Sequence, residues 1–356
     1  MSSLGQLQLI HLSTNRKKGM MGNLKITSWN IKYLTRLMGD DLSENSRRRL
    51  DGVVREIREI SPDILCIVEG PPGEADIEKF ANQILNGEYV AIKSDDGIYG
   101  IGGNQWVWFL VKPIYQNRVS LLSTQVWNQL AGRSWKVHYW GDFTEVNHRH
   151  YRLPQVLVLD WNGQRVEFIG LHLKSKFVIG GRSDWNAGGQ RKKDFITKAI
   201  KARIKLATEA TNVRAYIDAK FDQVEKPAIF VMGDLNDGPG KEHFEQLYLF
   251  FDLLSNIQGD VFFANRFLNH ALFDYAEHLR WSVNFEDFID PTRDPKILLD
   301  HILFTQGLVD GSLPLQVNSG AGFIEHEIHD LINATLNSAQ KTSDHKPVSL
   351  KVATEP

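Results

Sequence analysis

Short apolar runs that stop on polar residues recur along this chain and restrict its fold more than any other feature. "LKITSWNI" (24–31), "DILCIVE" (63–69), "WVWFLVK" (106–112), "QVLVLDW" (155–161), "RVEFIGLHL" (165–173), "AIFVMGD" (228–234), "ILLDHILF" (297–304) and "PVSLKV" (347–352) are rich in β-branched or aromatic residues. Gly, Pro, Asp or Asn bound each run, which is the pattern of β-strands. Helical spacing separates some of them. "SENSRRRLDGVVREIREIS" (43–61) puts Leu50, Val53, Val54 and Ile57 on one face, and "DFITKAIKARIKLATEATNVRAYIDAKF" (194–221) is longer and mostly polar on one side. Strand runs mixed with helices predict packed sheets covered by helices. With 356 residues and no low-complexity linker, a single large domain is expected over 23–356.

Residues 1–22 precede the first good strand and read as an extension without the h-region of a signal peptide. No apolar run is long enough to span a bilayer, so a cytoplasmic protein with no membrane association is expected. Nothing implies a protein partner. The single cysteine, Cys66, lies inside an apolar run and reads as a buried small hydrophobe. Residues 255–295 are aromatic without a strand period and read as an insertion between strands. A net charge of −2 gives no global basic field, although a local groove can still be cationic.

Five runs end on or contain a residue of catalytic type: Asn30, Glu69, His172, Asp234 and Asp300; the last run is preceded by Asp344 and His345. Any one of them suits a cap or a turn. Sheets with parallel strands gather strand ends at one edge, so together they predict a cluster. Asn30, Glu69 and Asp344 are hard oxygen donors that suit Mg²⁺ or Mn²⁺ and suit zinc poorly. His172 and His345 can act as acid, base or phosphate donor. Asp234 can accept a proton or orient water, and the Asn236 amide can donate to a phosphoryl oxygen. Lys174 shares a strand face with His172, which makes an anion the expected ligand.

In order and spacing, "WN" at 29–30, Glu69, "HLKSK" at 172–176, "GDLN" at 233–236, "LDHIL" at 299–303 and "SDHKPV" at 343–348 resemble the endonuclease/exonuclease/phosphatase superfamily. The resemblance covers the chain from about Leu24 onward. It implies a four-layer α/β/β/α sandwich of two mixed sheets and metal-assisted hydrolysis of a phosphate ester. It also implies that Glu69 binds the metal with Asn30 and Asp344 near it. Asp234 would activate water, Asn236 would hold a phosphoryl oxygen, His345 would pair with Asp300, and His172 would be a second acid/base. Arg152, in "YRLP", resembles an arginine that meets a phosphate, and Lys174 is a further substrate contact. Two departures stand out. Val68 precedes Glu69 where many relatives have Gln, and Lys32 stands where apurinic endonucleases carry an acid, which argues against a repair role.

Other features carry less. "YGIGGNQW" (99–106) reads as a hairpin, because it lacks G-x-G-x-x-G. In "EHEIHD" (325–330) the histidines are three apart, where a zinc helix needs four. "HRH" (148–150) reads as an exposed triplet near Arg152. From His172 to Lys205, ten Lys or Arg face two Asp, either as a solvated helix face or as a basic rim for a polyanion, with Trp185 and Asn186 beside it as base-stacking or anchoring residues. The leading expectation is a divalent-metal-dependent phosphodiesterase acting on nucleic acid. The alternative is an esterase for a small phosphorylated metabolite, lipid headgroup or cyclic nucleotide, and a non-catalytic binding module is disfavoured by the complete residue set.

Overall fold

The computed structural model describes residues 22–131, 135–139, 145–238, 242–248 and 254–354; the expected extension, apart from Gly22, lies outside the described residues. The first strands in chain order are β1 (Gly22–Asn30), β2 (Ile64–Gly70), β3 (Val90–Ala91), β4 (Trp106–Val111), β5 (Val119–Leu121), β6 (Trp135–His138), β7 (Glu145–His148) and β8 (Gln155–Trp161). Then come β9 (Gln164–His172), β10 (Ala228–Asp234), β11 (Asn269–His270), β12 (Val283–Asn284), β13 (Lys296–Ile297), β14 (Asp300–Phe304), β15 (Leu315–Ile324) and β16 (Val348–Thr354). The α-helices are α1 (Glu44–Ile60), α2 (Glu74–Lys79), α3 (Gln125–Ala131), α4 (Gly181–Ala187), α5 (Gly189–Gln223), α6 (His243–Tyr248), α7 (Ser255–Gln258) and α8 (His326–Asn333).

Two six-stranded sheets carry the fold, one in the order β15-β16-β1-β2-β4-β3 and the other β11-β14-β10-β9-β8-β5. Each is mixed in the same way. A central parallel pair, β1 with β2 or β10 with β9, is flanked by antiparallel neighbours. Strand alternation explains why the sheets stack. Phe168 and Phe230 stack on each other at 5.0 Å in the core between the sheets. Their neighbours Ile169, Leu171, Ile229 and Val231 turn outward onto Leu206, Val213 and Ile217 of α5. Gly170 allows the close approach, since a Cβ there would lie 2.9 Å from Phe109 and Val107 and 3.0 Å from Cys66.

The other sheet is covered by α1 and α8. Ser43 caps α1 by accepting the Ser46 N–H at 3.2 Å, which satisfies one of the free donors of the first turn. Gly52 lets α1 approach Thr342 and Ile332, since a Cβ there would sit 2.9 Å from the threonine methyl. The order helix, sheet, sheet, helix is the expected four-layer sandwich. Among the described residues no helix is long and apolar enough to cross a membrane.

Local features differ in how far the sequence announces them. β15 lacks an alternating signature because Ser319-Gly320-Ala321-Gly322 interrupts it, where the register shifts between Val317 and Gly322. Residues 255–295 are not only loop: β11 extends one sheet, and β12 pairs with β13. "YGIGGNQW" lies in the long loop that joins the antiparallel neighbours β3 and β4, so the hairpin reading holds with a longer loop, and Gly102 there donates to the Tyr151 carbonyl at 2.7 Å. His148 and His150 are buried, not exposed: His148 meets Glu209 at 3.1 Å and His150 meets Asn212 at 3.0 Å, both partners being on α5.

Candidate active site

The C-terminal ends of both parallel pairs meet at one edge of the sandwich, which brings Asn30, Glu69, His172 and Asp234 there from β1, β2, β9 and β10. Antiparallel pairing sets Asp300 directly opposite Asp234. Asn30 is buried, and its Nδ2 donates to Asp234 Oδ2 at 3.1 Å and to Glu69 Oε1 at 3.4 Å. One amide therefore ties carboxylates from the two sheets. Glu69 sits at an irregularity in the β2–β4 pairing with φ 60° and accepts the Tyr33 N–H at 2.9 Å. A left-handed backbone is uncommon outside glycine, and such conformations concentrate at functional sites. Asn236, with φ 54°, turns back so that its own N–H donates to Asp234 Oδ1 at 2.8 Å. One N–H of its side chain donates to the Leu173 carbonyl at 3.1 Å.

Two histidines flank Asp234 in opposite charge states. His345 Nδ1 lies 2.7 Å from Asp300 Oδ2. Burial alone pulls the His345 pKa down, but the Asp300 carboxylate, helped by Asp234 and Asp344, outweighs it and raises the pKa to about 10. His172 Nε2 lies 3.7 Å from Asp234 Oδ2. Burial, then the charges of Arg152 and His345, hold it well below the ordinary imidazole range, so it is neutral. Burial also pushes Asp234 up to about 7, with His345 opposing and Asp300 adding to the rise. His172 Nδ1 and Asp300 Oδ1 are buried without a hydrogen-bond partner.

The remaining expected residues are placed differently. Asp344 is half exposed and ion-paired with Lys32 at 2.6 Å. Arg152 is buried: its Nε donates to the His172 carbonyl and its Nη2 to the Leu173 carbonyl, both at 3.1 Å, and Nη1 reaches Gln105. It braces the end of β9 from behind. Lys174 is half buried, its N–H on Glu209 at 2.7 Å and its ammonium on the Ser175 carbonyl at 2.8 Å. Trp185 of the expected rim is committed too, with Lys192 over its ring at 3.8 Å and Phe195 edge-on.

Two cations of the run from Lys174 to Lys205 are drawn inward, while Arg182, Arg191, Lys193 and Lys198 stay exposed. Lys176 is inserted among Asp237, Glu242 and Glu245, and Arg203 pairs with Glu242 at 2.9 Å and Glu245 at 3.1 Å. These three carboxylates have a metal-like spacing, but two side-chain cations already neutralise them. The network anchors the turn after Asn236 to α5. A metal fits better beside Glu69 and Asp234, whose carboxylates both meet the Asn30 amide nitrogen at the buried edge and supply oxygen donors of the kind a hard divalent cation takes; the Asn30 oxygen itself accepts the Lys32 N–H at 3.0 Å.

Two neighbouring features have no signal in the sequence. A mostly apolar pocket of about 240 Å³ lies against Asn236, with Phe177, Phe195, Phe285 and Phe288 in its walls. A buried imidazole pair also supports the turn. The Leu272 N–H donates to His270 Nδ1 at 3.0 Å, His270 Nε2 meets His301 Nδ1 at 2.8 Å, and His301 Nε2 meets the Asp237 carbonyl at 2.6 Å. The amide donor and carbonyl acceptor at the two ends fix both tautomers, with each Nε2 carrying the proton.

Residues 27–345 match the profile of the Endonuclease/Exonuclease/phosphatase family. No curated protein sequence matches the chain. Among solved structures, humanized TDP2 of D. rerio carrying 14 mutations superposes with a TM-score of 0.50 at 14% identity, covering 93% of this chain and 99% of that one. Truncated TDP2 of Caenorhabditis elegans gives 0.51 at 14% identity, covering 94% and 98%. These likenesses concern the fold; the profile spans most of the chain, and the chain belongs to the endonuclease/exonuclease/phosphatase family.

Proposed function

We propose that this protein is a divalent-metal-dependent phosphodiesterase that hydrolyses nucleic-acid phosphodiester bonds, with residues 23–356 as one catalytic domain. Family membership gives the general class, a phosphoric ester hydrolase that uses divalent metal. The observation that carries the finer reading is the pairing of a cationic His345 on Asp300 with a neutral His172, on either side of a carboxylate whose pKa is near neutrality. Groups pushed apart in this way divide acid and base roles between them.

Glu69, with Asn30 and Asp344 near it, would hold Mg²⁺ or Mn²⁺, which would supply charge neutralisation to the phosphate ester. Asp234 takes the proton of the attacking water as the new P–O bond forms and the bond to the leaving oxygen breaks. The free Asn236 side-chain N–H holds a phosphoryl oxygen. His345 presents Nε2–H to the developing charge, because Nδ1 is spent on Asp300. His172 serves as a second proton carrier, Arg152 keeps the β9 end in place, and Lys174 adds positive potential.

The second reading, a small phosphate ester, is favoured by the aromatic pocket beside Asn236. Hydrolysis of single-stranded DNA, duplex DNA, RNA and chromogenic mono- and diesters, with Mg²⁺, Mn²⁺ or chelator, tests both readings against the Asp234→Ala variant. Chelator-sensitive strand cleavage lost in the variant supports the first. Activity confined to small esters refutes it.

A further inference from the structure

Beside Asp344 opens a cleft of about 950 Å³ with five cations in its walls: Lys32, Arg36, Arg49, Lys341 and Lys346. Only two acids line it, Asp330 and Asp344, so five positive charges less two negative leave +3 in a chain whose net charge is −2. The cations come from two stretches far apart in sequence that meet in its lining. Lys32 and Arg36 follow β1 and Arg49 lies on α1, whereas Lys341 and Lys346 follow α8.

Three of the five are tied to the protein. Lys32 holds Asp344 at 2.6 Å, Lys346 holds Asp330 at 2.6 Å, and Arg49 donates to the Thr342 carbonyl at 3.2 Å. Arg36 and Lys341 are exposed, and among the described residues neither has a carboxylate within ion-pair distance. Arg36 rests on the Tyr33 ring with its guanidinium 4.3 Å from the centroid, which presents it at the wall. Neutral polar groups of Asn284, Asn333 and Ser338 fill in between.

We infer that this cleft binds the phosphates of a nucleic-acid strand that flank the scissile one, with Arg36 and Lys341 making the outer contacts. The inference rests on the phosphodiesterase reading above and gives the strand its direction, away from the exposed face of α5. A cleft of this size lined by several cations from both stretches suits successive backbone phosphates; one small anion would need its donors convergent. Neutralising backbone phosphates releases counterions, so each contact leaves its mark on the salt dependence of affinity.

The test is the affinity of a labelled single-stranded DNA oligonucleotide by fluorescence anisotropy across a salt series. Chelator is present throughout, so the strand is bound and not cut. Each of Arg36→Ala and Lys341→Ala lowers the slope of log affinity against log salt by roughly 0.7, and the double variant by roughly twice that. Arg36→Glu weakens binding further at low salt. Lys193→Ala with Lys198→Ala, on the exposed face of α5, leaves the slope as it is. An unchanged slope in Arg36→Ala/Lys341→Ala, or a slope that falls in the α5 pair instead, overturns the cleft while strand cleavage by the wild type still upholds the phosphodiesterase reading. Absence of both cleavage and salt-dependent binding in the wild type overturns the two together.

Discussion

Replacing Asp300 by Asn tests whether a buried carboxylate keeps His345 charged. Asp300 has no solvent exposure, and its Oδ2 is 2.7 Å from His345 Nδ1. Asn keeps the shape and removes the charge. Without that charge, burial dominates and the imidazole loses its proton well below the present value of about 10. A fall to the ordinary value of 6.5 is a change of about 5 kcal/mol in the free energy of the charged form, an upper figure because Asp234 and Asp344 still contribute. The stability sign follows. A folded pKa above the unfolded one gives stability that is fully present below pH 6.5 and is lost as pH rises through about 10. In the variant that alkaline loss shrinks. For catalysis, losing a positioned acid costs roughly 10²- to 10⁴-fold in kcat, with a smaller effect on KM. The assay is kcat against pH for a diester substrate, with the His345 ring signal followed by NMR from pH 6 to 10 in both proteins. A variant with kcat within a factor of three of the wild type, or with His345 still charged at pH 9, refutes the reasoning.

Three further outcomes follow from the geometry. The neutral His270–His301 pair has pKa values lowered by burial to about 3 and about 4, so its stability is complete above the unfolded value near 6.5 and is lost as pH falls; at pH 5 the two together cost about 4 kcal/mol, measured by urea unfolding at pH 7 and 5, and a flat profile refutes it. Gly170→Ala forces its new methyl against Phe109, Val107 and Cys66 and lowers stability by about 1–3 kcal/mol, read as a drop in Tm; no drop means the sheets are not so close. Lys176→Met leaves Asp237, Glu242 and Glu245 with Arg203 and the more distant Arg293 and destabilises by about 3–5 kcal/mol in denaturant unfolding, while a neutral result removes Lys176 from that network.

What could be read from the chain beforehand has a physical pattern. β2 and β10 are buried, so their apolar runs are unbroken and end on residues of the site; β1 and β9 carry a few polar residues but also end on the site, and β16 directly follows it. β15 was illegible because a bulge of small residues replaces the alternation. The contiguous run of cations from Lys174 to Lys205 looked like a surface, yet Lys176 and Arg203 point into a knot of acids that arrives from residues 237–245. The cationic cleft had the opposite fate. Its walls are separated by some three hundred residues and only folding makes them neighbours. His148 and His150 read as exposed because nothing local announced that Glu209 and Asn212 of α5 would cover them.

The Asn30 amide, reaching from one sheet to a carboxylate of the other, makes catalysis a gauge of how the two sheets lie on each other. A slip of one strand repeat, about 7 Å, would strand Asp234 far from its partner. A displacement of about one ångström along the bond already breaks this 3.1 Å hydrogen bond. Packing at Gly170, remote in kind from any proton transfer, therefore sets the tolerance of the machinery at the rim. Substitutions along the shared face should dim the rate before they melt the protein, and the gap between the two losses measures how finely the seam is aligned.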